Sequence, residues 1–206
     1  MAGERTHLFE RTFLSLFPVP EFLRMPAAGL DITDSRVRFL EFRRGNGRLV
    51  IDRYGEEHIP SGVIVSGGIK RLDELRALLS RFQEKHKISF VRVSLPEERA
   101  YLATMDVPNI SDAEIRGAIG FQIEEYVPLS AKDAVFDYHV LGASPADANM
   151  LSVSVSVFPE SELRAYVDMF SETGIIPVSF EIEAHAIARA LLPREDRRAY
   201  IILDFG

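Results

Sequence analysis

The sequence predicts an α/β fold, with a second and smaller α+β unit beginning near residue 99. Three observations carry this expectation. Apolar runs with strand spacing alternate with stretches of helical spacing from residue 29 onward. The order over 29–98 is strand, turn, strand, strand, helix, strand, and near residue 99 a new strand opens a second series. Within that series Leu151, Val153, Val155 and Val157 alternate with Ser152, Ser154 and Ser156, the clearest strand pattern in the chain.

Residues 1–28 stand apart. Leu8, Phe9, Phe13, Leu14, Leu16, Phe17, Phe22 and Leu23 make an apolar leader that Pro18 and Pro20 keep from continuing as a helix. Burial on the domain surface is the expectation, with a docking segment for a membrane or a partner groove as the alternative.

Leu30 and Ile32, then Val37, Phe39, Leu40 and Phe42, read as two strand arms around the polar Thr33-Asp34-Ser35. Gly45-Asn46-Gly47 is a hairpin signal, and Leu49 to Tyr54 returns as a strand. Ile69, Leu72, Leu75, Leu78, Leu79 and Phe82 fall at helical spacing, and Phe90 to Leu95 is a strand ended by Pro96. In the second unit, Tyr101 to Val107 is a strand. Ser111-Asp112-Ala113-Glu114 then forms a capping box for a helix burying Ile115, Ala118, Ile119, Ile123 and Tyr126. Strands follow at Val135 to Leu141 and Leu151 to Val157. A helix from about Glu160 buries Leu163, Tyr166, Val167 and Phe170, with Gly174 as its C-terminal cap. Strand Val178 to Ile182, helix Ala184 to Leu192, a charged connection Pro193 to Arg198 and strand Tyr200 to Leu203 complete the series. The chain stops at Asp204-Phe205-Gly206, directly after an apolar strand that needs neighbours, so the sequence reads as the first part of a longer protein.

Composition narrows the function. Hydrophobic residues at 47% and charged residues at 27% are ordinary for a globular domain. A formal charge of −7 argues against general nucleic-acid binding. With no cysteine, disulfides and thiolate metal sites are excluded. No apolar run approaches the roughly 18 residues that span a bilayer, and the N-terminus lacks the order of a secretion signal, so a cytoplasmic protein is expected. His139 and His185 are isolated, without a partner at metal-ligand spacing. The serine row at 152, 154 and 156 reads as the solvent face of an antiparallel strand, and there is no nucleophile elbow, zinc helix or Walker loop.

Gly29-Leu30-Asp31-Ile32-Thr33-Asp34-Ser35-Arg36-Val37-Arg38 resembles the first phosphate loop of the actin/Hsp70/sugar-kinase superfamily. Ile123-Glu124-Glu125-Tyr126-Val127-Pro128-Leu129, followed by Asp137-Tyr138-His139-Val140-Leu141-Gly142, is similar to a segment of the type IV pilus assembly (PilM) family. Ser179 to Leu191 resembles that family's strand-to-helix passage. Ile202-Leu203-Asp204-Phe205-Gly206 resembles the start of the second phosphate loop. The four matches stand in family order over about residues 29–206.

The resemblance implies an actin-like (ribonuclease H-like) α/β fold, with a first subdomain over 29–98 and 174–197. It also implies an inserted small α+β subdomain over 99–173, and at 198–206 the first strand of a further subdomain. It implies a cytoplasmic scaffold, peripheral on the inner face of the membrane, holding the N-terminal tail of a PilN-like membrane protein. That membrane association is indirect, and room is left for self-association. It implies ATP and Mg²⁺ in the intact protein, with nucleotide bound by Asp31, Thr33, Asp34, Ser35, Arg38, Asp204 and Gly206. Asp31 and Asp204 would hold Mg²⁺ through water, and Glu183 would position the attacking water. Read from the residues alone, Asp31, Asp34 and Ser35 also suit a plain turn, and Glu183 equally a helix start. The family usually has Gly where Thr33 stands and Lys where Arg38 stands, which predicts weak nucleotide binding by this chain alone. Two alternatives remain: an ATPase or sugar-kinase phosphotransferase of the same superfamily, and an FtsA-like cell-division protein.

Overall fold

A computed structural model describes residues 27–45, 48–193, 196 and 198–204. The leader up to residue 26, the hairpin residues Asn46 and Gly47, and the terminal Phe205 and Gly206 lie outside the described residues.

Strands β1 (Ala28–Ile32), β2 (Arg36–Gly45) and β3 (Arg48–His58) form an antiparallel meander. A two-strand clasp, β4 (Ile64–Val65) and β5 (Gly68–Ile69), leads into helix α1 (Leu72–His86). Strand β6 (Phe90–Leu95) then returns parallel to β1. Alternation in these strands is the cause of their placement. Leu30 and Ile32, Val37 and Phe39, and Val91 and Val93 all point to one face, where Leu75, Leu78, Leu79 and Phe82 of α1 meet them. Each such side chain contributes roughly 1.5–3 kcal/mol by leaving water. The helix closes at Lys87 in a left-handed conformation, its N–H donating to the Gln83 carbonyl.

Past a 3₁₀ turn at Glu97–Arg99 the chain builds a three-stranded antiparallel sheet of order β7-β9-β8, from β7 (Tyr101–Pro108), β8 (Ala134–Ala143) and β9 (Met150–Pro159). Helix α2 (Asp112–Tyr126) lies on one face, where Ile115, Ile119 and Ile123 bury against Met105, Val107, Val153, Val155 and Val157. At its start the Glu114 carboxylate accepts from the Ser111 N–H at 3.2 Å and the Ser111 hydroxyl at 2.6 Å. Those bonds hold Glu114 below the usual carboxylate range.

Helix α3 (Glu160–Asp168) brings the chain back to the first sheet, where β10 (Ile176–Ile182) joins the far edge parallel to β6 and leads into helix α4 (Glu183–Leu191). The resulting sheet has the order β10-β6-β1-β2-β3. Among the described residues two separate hydrophobic clusters result, one under each sheet.

Several local expectations need correction. The boundary drawn at 173 placed α3 with the second unit; α3 instead bridges the two, meeting β5 of the first unit as well as β8 and β9, while Tyr166, Met169 and Phe170 bury in the first cluster. Tyr126 and Val167 are exposed, since α2 and α3 each present a narrower buried stripe than their apolar content suggests. Ile69 pairs in β5 instead of opening α1. Gly174 does take a left-handed φ of +77°, but α3 has already ended at Asp168. The serine row is only half open, with Ser152 buried, because β9 is the central strand of its sheet. Residues 199–204 form no strand, because no described neighbour offers them a ladder.

Candidate functional site

Behind the first sheet, on the face opposite α1, lies a cavity of about 960 Å³. Alternation puts its polar wall there. Asp31 of β1, Arg38 of β2, Arg92 and Ser94 of β6, and Glu181 of β10 all point away from the apolar core. Helix α4 closes the cavity with Glu183, Ala186, Ile187 and Ala190, and Asp204 reaches it from the terminal segment.

Asp31 sits at the carboxyl end of β1. Its Oδ1 accepts the Ser94 hydroxyl at 2.8 Å, and the Arg38 guanidinium stands 3.6 Å from its Oδ2. Glu183 opens α4 and is half-buried. Burial, then the negative charges of Asp31 and Asp204, push its carboxyl above the usual range. On the rim, Arg189 pairs with Glu181 through two hydrogen bonds, one of 2.6 Å. The cavity therefore carries an excess of negative charge at one end and an apolar wall of Leu40, Phe42, Tyr54, Ile187 and Ala190 at the other.

The structure brings Asp31, Arg38, Glu183 and Asp204 to this cavity. It places Thr33, Asp34 and Ser35 in the turn between β1 and β2, outside its walls. There Thr33 closes the turn on itself: its N–H donates to the Arg36 carbonyl at 2.9 Å, and its hydroxyl accepts the Arg36 N–H at 3.2 Å. Asp34 caps the clasp, accepting the N–H groups of Ser66 at 2.7 Å and Gly67 at 3.0 Å. The Ser35 carbonyl accepts the Ile59 N–H at 2.8 Å.

Sequence reasoning missed Arg92, Ser94 and Glu181. The signal was present: polar residues alternate with Val91, Val93 and Leu95 in a strand parallel to β1, and parallel sheets present ligand-binding groups at their carboxyl ends. It also missed the joint between the two units. Arg99 donates from Nε to the Ser66 carbonyl at 2.7 Å and from Nη1 to Glu162 at 3.2 Å. The buried Tyr166 hydroxyl donates to the Gly67 carbonyl at 2.8 Å, and its burial drives the phenol far above its ordinary range.

The fit to Mg²⁺ and ATP is divided. Three carboxylates facing one cavity, one of them with its affinity for protons raised first by burial and then by the other two, suit a hydrated cation. No group of three described acids or histidines is close enough to ligate a metal directly. Within the turn the Thr33 and Arg36 N–H groups are spent on each other's residue, and in the clasp those of Ser66 and Gly67 are spent on Asp34. Gly206 lies outside the described residues.

Comparison with known proteins bears on the family and the fold. The family model described as type IV pilus assembly protein PilM matches residues 29–203. The solved PilM-PilN type IV pilus biogenesis complex aligns with a TM-score of 0.71 at 19% identity, covering 82% of this chain and 50% of that one. The cytoplasmic domain of EpsL, an inner membrane component of the type II secretion system of Vibrio cholerae, aligns with a TM-score of 0.50 at 11% identity. That match covers 74% of this chain and 56% of that one. The chain thus spans about half the length of the solved structures it resembles.

Proposed function

The chain belongs to the type IV pilus assembly protein PilM family, and from that premise we propose that it is the first part of a cytoplasmic actin-like scaffold. This scaffold sits on the inner face of the membrane and holds the N-terminal tail of a PilN-like membrane protein. The observation that carries the reading is the family match over residues 29–203, joined to a fold shared with the PilM-PilN complex.

The local chemistry supports it. Strand β7 is an edge of its sheet and starts beside the joint between the units, with Tyr101 and Leu102 exposed. Its free backbone groups suit an extended peptide, which would add main-chain pairing to apolar pockets. The joint built by Arg99, Glu162, Tyr166 and Asp34 would hold the receiving groove at a fixed angle.

In the intact protein, ATP with Mg²⁺ would bind at the cavity, where Asp31, Glu183 and Asp204 would hold a hydrated cation and Arg38 stands nearby. The nucleotide would influence the peptide only through different contacts in two arrangements of the subdomains. Equal peptide affinity with and without Mg-ATP in the full-length protein removes that coupling.

The direct test is calorimetric titration of this chain with a synthetic PilN-like N-terminal tail, with and without Mg-ATP. The expected result is a dissociation constant on the order of micromolar without nucleotide, weakened at least tenfold by Leu102→Asp. No binding of the tail by this chain or by the full-length protein overturns the reading.

A further inference from the structure

The hairpin of β2 and β3 extends past the core in two arms, residues 42–45 and 48–51. Their apolar side chains are turned outward: Leu49 is 68% exposed, Ile51 58% and Phe42 53%. Cross-strand register places Phe42 opposite Ile51 and Arg44 opposite Leu49, so these side chains share one face. Such a cluster of exposed apolar residues at the end of a hairpin asks for a partner surface.

Charge identifies the partner. Six arginines and two acids lie between residues 36 and 53, in a chain whose net charge is −7. The other four arginines are neutralised: Arg36 by Glu56, Arg38 by Asp31 and Glu56, Arg53 by Glu41, and Arg43 by Asp52. Arg44 and Arg48 form no ion pair among the described residues. The uncompensated positive charge therefore coincides with the exposed aliphatic side chains.

Arginines beside outward apolar side chains match an anionic bilayer surface. Guanidinium groups stay at the phosphate level while short apolar side chains enter the acyl boundary. The acidic remainder of the chain is repelled by the same surface, which would orient the molecule with this hairpin foremost. A nucleic acid fits less well, since it wants a continued basic stripe, and here the neighbouring arginines are already paired.

We propose that the arms of the β2–β3 hairpin bind anionic lipid directly, with Arg44 and Arg48 on headgroup phosphates and Leu49 and Ile51 in the interface. The contact stands whether or not a membrane-protein tail also binds, because it needs no partner protein.

The chain has no tryptophan, so Leu49→Trp places a single reporter on the hairpin. With vesicles of phosphatidylcholine and 30% phosphatidylglycerol, its emission is expected to shift to the blue. With pure phosphatidylcholine it is expected to stay unchanged. Adding Arg44→Glu and Arg48→Glu should weaken vesicle binding at least about thirtyfold, each lost arginine counting for about fivefold. Both positions are on the surface, so the melting temperature should hold and separate lost binding from lost folding. An unshifted emission on anionic vesicles overturns the proposal. So does vesicle binding that survives the double charge reversal, or an equal shift on duplex DNA.

Discussion

At the scale of single residues, two titratable groups set how stability responds to pH. His86 packs between Phe39 and Phe82, at 4.9 and 4.6 Å between ring centroids, and its Nε2 is buried without a partner. Burial first, then the charge of Lys85, lower its pKa; Glu57 opposes and Arg53 reinforces. A depressed histidine adds no penalty above its unfolded value, near 6.5. Below that the unfolded chain takes the proton first and stability is lost. The denaturation midpoint should therefore fall from pH 6.5 downward, and His86→Leu should flatten that slope. An unchanged slope in the variant refutes this role. Glu183 behaves in the opposite sense. Its raised pKa means that ionisation costs the folded state stability as pH rises above 4.5. Glu183→Gln should raise the melting temperature at pH 7, and the gain should disappear near pH 4. A gain that persists at pH 4 would point to packing rather than charge. Asp31 and Glu183 were legible as a pair only through family order. Their neighbour Ser94 was legible through strand alternation, whereas His86 sat in a helical pattern that gave no hint of its unpartnered nitrogen.

At the scale of elements, the joint between the two units is the sensitive point. Gly67 has a φ of +69°, and a Cβ there would come within 2.7 Å of the Pro96 ring. Gly67→Ala should cost about 2 kcal/mol or more, adding backbone strain to a clash with a stiff ring. Tyr166→Phe leaves the Gly67 carbonyl without its buried donor and should cost about 1–3 kcal/mol. Chemical denaturation measures both, and a loss well under 0.5 kcal/mol in either would show that the clasp adapts. The strands of the two larger sheets, α1, α2 and the β1–β2 turn were readable from periodicity and capping, because their determinants are local, whereas the short clasp of β4 and β5 was not. The joint was not. Arg99, Glu162, Tyr166 and Gly67 are brought together by two separate turns and a helix, and no short window of sequence contains that coincidence.

At the scale of the whole molecule, two hydrophobic clusters sit under two sheets, an arrangement that predicts separate failure. Ile119 is fully buried in the smaller one. Ile119→Ala should cost about 2–5 kcal/mol. By hydrogen exchange it should expose amides of β7, β8 and β9 while those of β1 and β6 stay protected. Uniform loss of protection would mean that the two clusters unfold as one. The terminal segment teaches the converse lesson: residues 200–203 have strand composition, and composition alone builds no ladder without a neighbour. The insertion itself has a simple geometry at its base. Tyr101 at the start of β7 pairs with Val157 near the end of β9, so the chain departs and returns along adjacent strands. The host sheet therefore sees the whole inserted unit as a gap of about 5 Å, the spacing of two paired strands, whatever lies beyond it. Such a socket makes the unit a cassette: lineages can lengthen, trade or re-tool it while the host's hydrogen-bond ladder stays as it is.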